Sequence, residues 1–219
     1  MKDPYTNKQS LPYKFRKNRS KYIKEIIDQI LSEKEECNIL DIGGTEQYWN
    51  ILIEYMSDKN ISIDISNISG NEAENKSRFR FIAGDARNMS EFADNSYDFV
   101  HSNSVIEHVG DWSAMKQMAA NVKRLARRYY VQTPNFWFPY EPHFRSPFYH
   151  WLPEQLRFRL LMHMTLGFRG KQDTIDGAME QVQSVQLLDR RQFSALFDDA
   201  EIINEKFLLF TKSLIAIRK

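Results

Sequence analysis

Asp41, Asp64 and Asp85 stand in three successive apolar segments, "ILDI", "SIDIS" and "FIAGDA", and the first of these runs straight into Gly43-Gly44. A glycine directly after a strand lets the backbone turn sharply and approach a ligand closely, because no Cβ intervenes. A dinucleotide fingerprint would add a third glycine and place a pyrophosphate on the following helix N-terminus. Here Thr45, Glu46 and Tyr48 occupy those places. Glu46 would set a negative charge where the pyrophosphate should sit, which disfavours NAD. No G-K-[ST] follows the turn, which excludes a Walker-type phosphate loop. The expected ligand therefore carries no phosphate. Carboxylates at the ends of three successive strands, beside a glycine turn, suit a cationic ligand carrying an adenosine. Asp64 lies 20 residues beyond Gly44, the separation at which an acidic residue reaches a ribose diol. Taken singly, each aspartate has an equal alternative as a helix or turn cap.

Acid-base chemistry has three candidates. His108, in "IEHV" just after the fourth strand-like segment, is the first, with Glu107 as its orienter or a helix-start residue. His143 and Glu141, in "YEPHF", are the second and third. A histidine is suited to removing a proton from a hydroxyl or amine because its ordinary pKa, ~6.5, lies near working pH. His101 falls inside a strand and reads as a core residue, while His150 and His163 carry no particular signal. No metal is expected: Glu141, His143 and His150 are close in sequence, but no H-E-x-x-H occurs, and Cys37 is the lone cysteine.

The elements that must position these groups follow from periodicity. Ile23, Ile26, Ile27, Ile30 and Leu31 mark "SKYIKEIIDQILSE" as an amphipathic helix. "NILDI", "NISIDIS", "SRFRFIAGDA", "YDFVHSNS" and "RYYVQTPN" read as strands. "EQYWNILIEYMS" and "WSAMKQMAANVKRLAR" read as helices between them. The alternation predicts an α/β fold with a mostly parallel, Rossmann-like sheet covered by helices on both faces. After a short helix, "DRRQFSALFDD", the runs "EIINEKFLLF" and "SLIAIRK" are too close for a crossover and should pair as an antiparallel hairpin. One domain spanning 1–219 is expected, with a basic arm and helix over 1–36.

Residues 136–185 depart from this rhythm. The stretch 135–168 holds ten of the chain's 29 Phe, Trp and Tyr residues, and the prolines at 139, 142, 147 and 153 forbid a continuous helix before about residue 154. An insertion after the fifth strand, placed as a lid or acceptor pocket at the carboxyl edge of the sheet, is the expectation. Trp137, Tyr140, His143, Arg145 and Trp151 are its candidate substrate contacts. Aromatic faces can stack on sugar rings, and guanidinium groups can pair with a phosphate or carboxylate. "FYHWLPEQLRFRLLMHMTLGF" could alternatively lie on a membrane with Trp151, Leu156 and Leu160 inward, although burial against the sheet is the favoured reading.

Composition sets the outer bounds. A chain of 219 residues, 42% hydrophobic and 27% charged, suits one compact α/β domain. The net charge of +1 argues against a general nucleic-acid binder, although residues 1–24 carry eight Lys or Arg and one acidic residue, Asp3. No signal-like run and no span of ~20 apolar residues occurs, so a soluble cytoplasmic protein is expected. A homodimer through the insertion is the one oligomer considered.

The order "ILDIGG", "SIDIS", "FIAGDA", "YDFVHSNSVIEHV", "YVQTPN" and a terminal hairpin resembles the class I S-adenosylmethionine-dependent methyltransferases, closely over residues 37–135 and loosely over the last 30. "TPNFWFPYEPHF" and the following "WLP" look like a subgroup of bacterial small-molecule enzymes found among surface-polysaccharide biosynthesis genes. The resemblance implies a seven-stranded sheet with the last strand antiparallel, S-adenosylmethionine as cofactor and S-adenosylhomocysteine as product. It implies that Asp41, Gly43 and Gly44 line the methionine end and that Asp64, with Ile65, binds the ribose. It further implies that Asp85, with Ala86, contacts the adenine amine, and that Ser102, Asn103 and Ser104 flank the cofactor. The family's turn is normally D-x-G-x-G-x-G, and this chain departs from it at Thr45 and Tyr48. The implied activity is in-line methyl transfer to a hydroxyl or amine of a small or carbohydrate-type acceptor. A cofactor fold retained only as a scaffold or partner-binding module is the competing reading.

Overall fold

A computed structural model describes residues 7–68 and 77–219. The first six residues of the expected basic arm lie outside the described residues. The chain begins with α1 (Leu11–Glu33). Ser10 caps it, its hydroxyl accepting from the Tyr13 amide at 3.2 Å, and Pro12 lies in the first turn, where its missing N–H costs nothing. The helix is longer than the isoleucine pattern alone indicates, because the polar turns preceding that pattern still have a cap to close them.

Seven strands form one sheet: β1 (Cys37–Ile42), β2 (Ile61–Asn67), β3 (Phe79–Ala83), β4 (Phe99–Asn103), β5 (Arg128–Pro134), β8 (Glu201–Phe207) and β9 (Phe210–Arg218), in the order β3-β2-β1-β4-β5-β9-β8. The pairs β1·β2, β1·β4 and β2·β3 are parallel, and the last two strands form the expected antiparallel pair. This is the Rossmann-like arrangement anticipated from the alternating segments. Between the strands run α2 (Glu46–Trp49), α3 (Ile53–Met56) and α4 (Trp112–Leu125). The single helix expected over 46–57 is instead two short turns of α-helix joined by a 3-10 turn at Asn50–Leu52. Trp49 is fully buried and tied to Asp41, and that tether competes with the regular helical path.

By internal contacts the chain divides into two compact units. The first comprises Met1–Asn103, Gln117–Val131 and Ile217–Lys219. Its core takes Ile23, Ile26, Ile27 and Ile30 from α1, Ile39 and Leu40 from β1, and Met118 and Val122 from α4. The second comprises Ser104–Lys116 and Gln132–Ala216. It contains a two-stranded ribbon, β6 (Tyr140–Glu141) against β7 (Ser146–Pro147), then α5 (Glu154–His163), α6 (Ile175–Gln183) and α7 (Arg190–Leu196). Phe144, Tyr149, Leu161, Ala178 and Val182 form a core of their own, with Phe158, Leu160 and Leu166 packed against it. Of the three residues considered for a membrane-facing role, Leu160 packs partly against this core, whereas Trp151 and Leu156 are exposed. Asp189 closes the start of α7 in a reciprocal capping box with Gln192. No described helix is long and apolar enough to cross a membrane.

Candidate active site

In the first unit the glycine turn is built from β1 outward. Gly43 adopts φ +69° and donates its amide to the Ser66 carbonyl at 2.7 Å. At Gly44 a Cβ would come 1.7 Å from an Asp41 carboxylate oxygen, so the second glycine is required by the aspartate beneath it. Asp41 is fully buried and accepts from Trp49 Nε1 and bonds His101 Nδ1, each at 2.7 Å. His101 in turn stacks on Tyr130, with ring centroids 5.3 Å apart. It is the core histidine that its strand position suggested. The carboxylate expected at the methionine end is thus engaged by the chain's own donors, under the turn.

Asp64 does not end its strand. β2 continues to Asn67, with Asp64 opposite Leu40 and Arg80, and Ser66 opposite Ile42. The extension follows from the Gly43–Ser66 backbone bond, which carries the ladder two residues further. Arg80 Nε donates to Asp64 at 2.8 Å, and Tyr97 donates its hydroxyl at 2.8 Å. Ile65 is fully buried. Asp85 lies two residues past β3, where it forms a local turn: it accepts from the Arg87 backbone and guanidinium, and those bonds hold its carboxyl below the usual carboxylate range. The Ala86 carbonyl accepts from Asn121 at 2.9 Å. Ser102 donates to the Ile42 carbonyl at 3.1 Å, and Asn103, half-buried, ends β4.

Two hydroxyls missed by the sequence reading complete this end. Thr45 precedes α2 at the capping position but makes no cap bond, and its buried Oγ1 has no partner among the described residues. Ser66 Oγ is likewise buried without a partner among the described residues, directly under Gly84, where a Cβ would approach it to 2.5 Å. Buried hydroxyls are normally satisfied. Unpartnered hydroxyls at the ends of β1 and β2, beside a backbone that only glycine leaves open, fit a ligand with ribose hydroxyls and a polar amino-acid end. For Ser66 the available signal was its place on the same strand face as Asp64, two residues on.

The second unit holds the acid-base groups. Ser104 opens it in the left-handed conformation, φ +58°, uncommon for a non-glycine residue. Its amide donates to the Gln132 carbonyl at 2.9 Å. A 3-10 turn at Ile106–His108 then presents Glu107 and His108. Glu107 is 1% exposed; Thr133 donates to one carboxylate oxygen at 2.9 Å, and the other oxygen has no partner among the described residues. Burial pushes its carboxyl up to about 7. His108 Nδ1 meets the Ser184 carbonyl at 2.9 Å, and burial lowers its pKa from the ordinary value. Its Nε2 lies 3.1 Å from Nε2 of His143, the rings edge to face. His143 Nδ1 meets Glu141, itself 1% exposed, at 2.7 Å. The Phe144 amide also donates to Glu141. His108, His143 and Glu141, separated by up to 35 residues, are therefore one chain of contacts.

A cavity of about 350 Å³ in the same unit is lined by Phe136, Glu141, Tyr149, His150, Glu154 and Arg157, among others. His150 contributes to its wall although the sequence singled out nothing there; its Nε2 bonds the Phe136 carbonyl at 2.7 Å. Of the expected acceptor contacts, Trp137, Tyr140 and Trp151 are exposed, with the rings of Trp137 and Trp151 6.3 Å apart. Arg145 lies with its guanidinium 3.7 Å over the Phe168 ring.

The strand order and the glycine turn define a nucleotide-cofactor fold of the Rossmann-like class. Residues 15–200 match the Methyltransferase domain family. The chain belongs to that family. Among solved structures it is similar to the CurJ carbon methyltransferase, with TM-score 0.56 and 13% identity over 99% of this chain and 61% of that one. It is also similar to phosphoethanolamine N-methyltransferase 2 of Haemonchus contortus, in complex with S-adenosylmethionine, with TM-score 0.51 and 15% identity over 83% of this chain and 38% of that one. A Rhodobacter sphaeroides protein provisionally described as a Zn-dependent alcohol dehydrogenase gives TM-score 0.52 and 11% identity over 94% and 98%. These likenesses concern the fold. The chain spans less than two thirds of both methyltransferase relatives. A comparison with curated proteins gives no match.

Proposed function

We propose that the chain transfers the sulfonium methyl of S-adenosylmethionine to a hydroxyl or amine of a small, polar, carbohydrate-type acceptor. The observation that carries the acceptor side is the His108–His143–Glu141 chain beside a polar cavity. Methyl transfer is an in-line displacement: the acceptor oxygen or nitrogen bonds the methyl carbon, the carbon–sulfur bond breaks, and neutral S-adenosylhomocysteine departs. The acceptor's proton must go to a base, and the protein otherwise holds the reactants and excludes water. Glu141 fixes His143 with Nδ1–H toward the carboxylate, which leaves an Nε2 lone pair to accept that proton and stabilises the imidazolium formed. Glu141 is the positioning residue of the pair.

On the cofactor side, the left-handed Gly43 turns the backbone at the end of β1, and the Thr45 and Ser66 hydroxyls, with Asp64, offer polar contacts to the ligand's ribose and amino-acid ends. In the cavity, Arg157 and Glu154 suit a polar substituent, while Phe136 and Tyr149 suit the faces of a sugar ring. The test is turnover with methyl-labelled S-adenosylmethionine against a panel of sugar nucleotides, amino sugars and simple phenols. Labelled product from a sugar-type acceptor, abolished in His143→Asn, is expected. Transfer to phenols alone would refute the acceptor class.

A further inference from the structure

We propose that Glu107, His108 and His143 form a binding site for a divalent transition-metal cation of the zinc type. Among the described residues, one ligand atom from each of these three lies within 4.8 Å of the others. The hydrogen bonds at the far side of each ring fix the tautomers. His108 Nδ1 faces the Ser184 carbonyl, which can only accept, so that nitrogen carries the proton. His143 Nδ1 faces Glu141 and carries its proton for the same reason. Both Nε2 atoms of the neutral rings therefore present lone pairs, and they do so to each other at 3.1 Å.

Two lone pairs at that distance repel unless something electropositive lies between them. A proton on one nitrogen would relieve the pair, but it would leave the unpartnered oxygen of Glu107 buried and unsatisfied. A dication answers all three groups. Two ligands held at ~2.05 Å on a tetrahedral ion are about 3.3 Å apart, close to the separation of the two nitrogens. Two imidazoles and a carboxylate are the ligand set of open zinc sites, which keep a further position for water or substrate. The outer contacts agree: metal-bound histidines almost always donate the remaining N–H to a carboxylate or a backbone carbonyl, and here one does each. Neither a sequence motif nor close spacing announces the site, because Glu107 and His108 come from the turn after β4 and His143 from the ribbon.

Cation binding itself does not depend on the methyl-transfer reading. Its use does: with the ion bound the His143 Nε2 lone pair is a ligand rather than the base, and the open position would take the acceptor's hydroxyl oxygen, whose acidified proton leaves to solvent. The experiment is titration of chelator-treated full-length protein with Co²⁺, followed by visible absorption, and with Zn²⁺, followed by calorimetry. One equivalent is expected, with the d–d bands of four- or five-coordinate cobalt. His143→Asn and Glu107→Gln should each remove saturable binding, whereas His163→Asn, on α5, should retain it. Glu141→Gln should weaken affinity about 10–100-fold. No saturable binding by the wild-type protein, or binding that survives His143→Asn, would overturn the site. S-adenosylhomocysteine affinity in the same preparation separates the two readings: cofactor binding without a cobalt signal defeats the cation site alone. A cobalt signal without methyl transfer to any acceptor upholds the cation site and defeats the acceptor reading.

Discussion

His108 and His143 each commit one ring nitrogen to a fixed acceptor, and the chemistry depends on what occupies the space between the other two. Replacing His143 with Asn should lower kcat/KM about 10²–10⁴-fold, the usual contribution of a positioned base, while S-adenosylhomocysteine affinity stays within roughly twofold. A parallel loss of cofactor affinity would relocate the role of His143. Ser66→Ala tests the other end. Loss of one hydrogen bond, about 0.5–1.5 kcal/mol, should raise the Kd for S-adenosylhomocysteine roughly 2–10-fold; comparison with Asp64→Ala would show which residue holds the ribose, and no change in either would place it elsewhere. Cys37 provides a control on the first unit's core. Burial pushes its thiol up to about 12, so it stays protonated at pH 8.5, where an unfolded cysteine is about half ionised. Alkylation by iodoacetamide at that pH should be slow in buffer and fast in denaturant; rapid reaction without denaturant would contradict the packing around β1.

At the scale of elements, the turn after β1 and the start of α7 make opposite kinds of prediction. Gly44→Ala drives a Cβ into the Asp41 carboxylate. Moving that group breaks its buried hydrogen bonds to Trp49 and His101 and should cost about 3 kcal/mol or more, at ~1.5–3 kcal/mol for each bond to a charged group, a fall in Tm on the order of 10 °C for a chain of this size. Asp189→Ala removes only a capping box, about 1 kcal/mol, and should leave methyl transfer intact. Most elements were legible because period-2 and period-3.6 patterns survive in the sequence: the isoleucines of α1, the alternation of β2 and the closely spaced β8 and β9. The helix α6 was not, since Gly177 and a mainly polar face obscure its period. The ribbon β6·β7 was not either, because two-residue strands are shorter than any pattern. Asp64 was misplaced within β2 because aspartate reads as a strand end, whereas Arg80 and Tyr97 allow it to sit inside one.

Over the whole molecule, the seven-stranded order and the match over residues 15–200 agree on the same family. The glycine turn and the His108 segment were visible in the sequence because each lies in one short run. The pairing of His108 with His143 was not, since only the folded path from the β4 turn to the ribbon brings residues 35 apart in sequence to 3.1 Å. The most direct test of the central claim is calorimetric titration of the intact protein with S-adenosylmethionine and S-adenosylhomocysteine, with NAD as control. A ligand at 100 times its Kd also adds about 2.7 kcal/mol to native-state stability, which gives an independent thermal readout. Saturable one-to-one binding of both sulfur ligands, with a matching rise in Tm and no response to NAD, is the predicted result. Binding of NAD, or no binding of either sulfur ligand, would contradict the account.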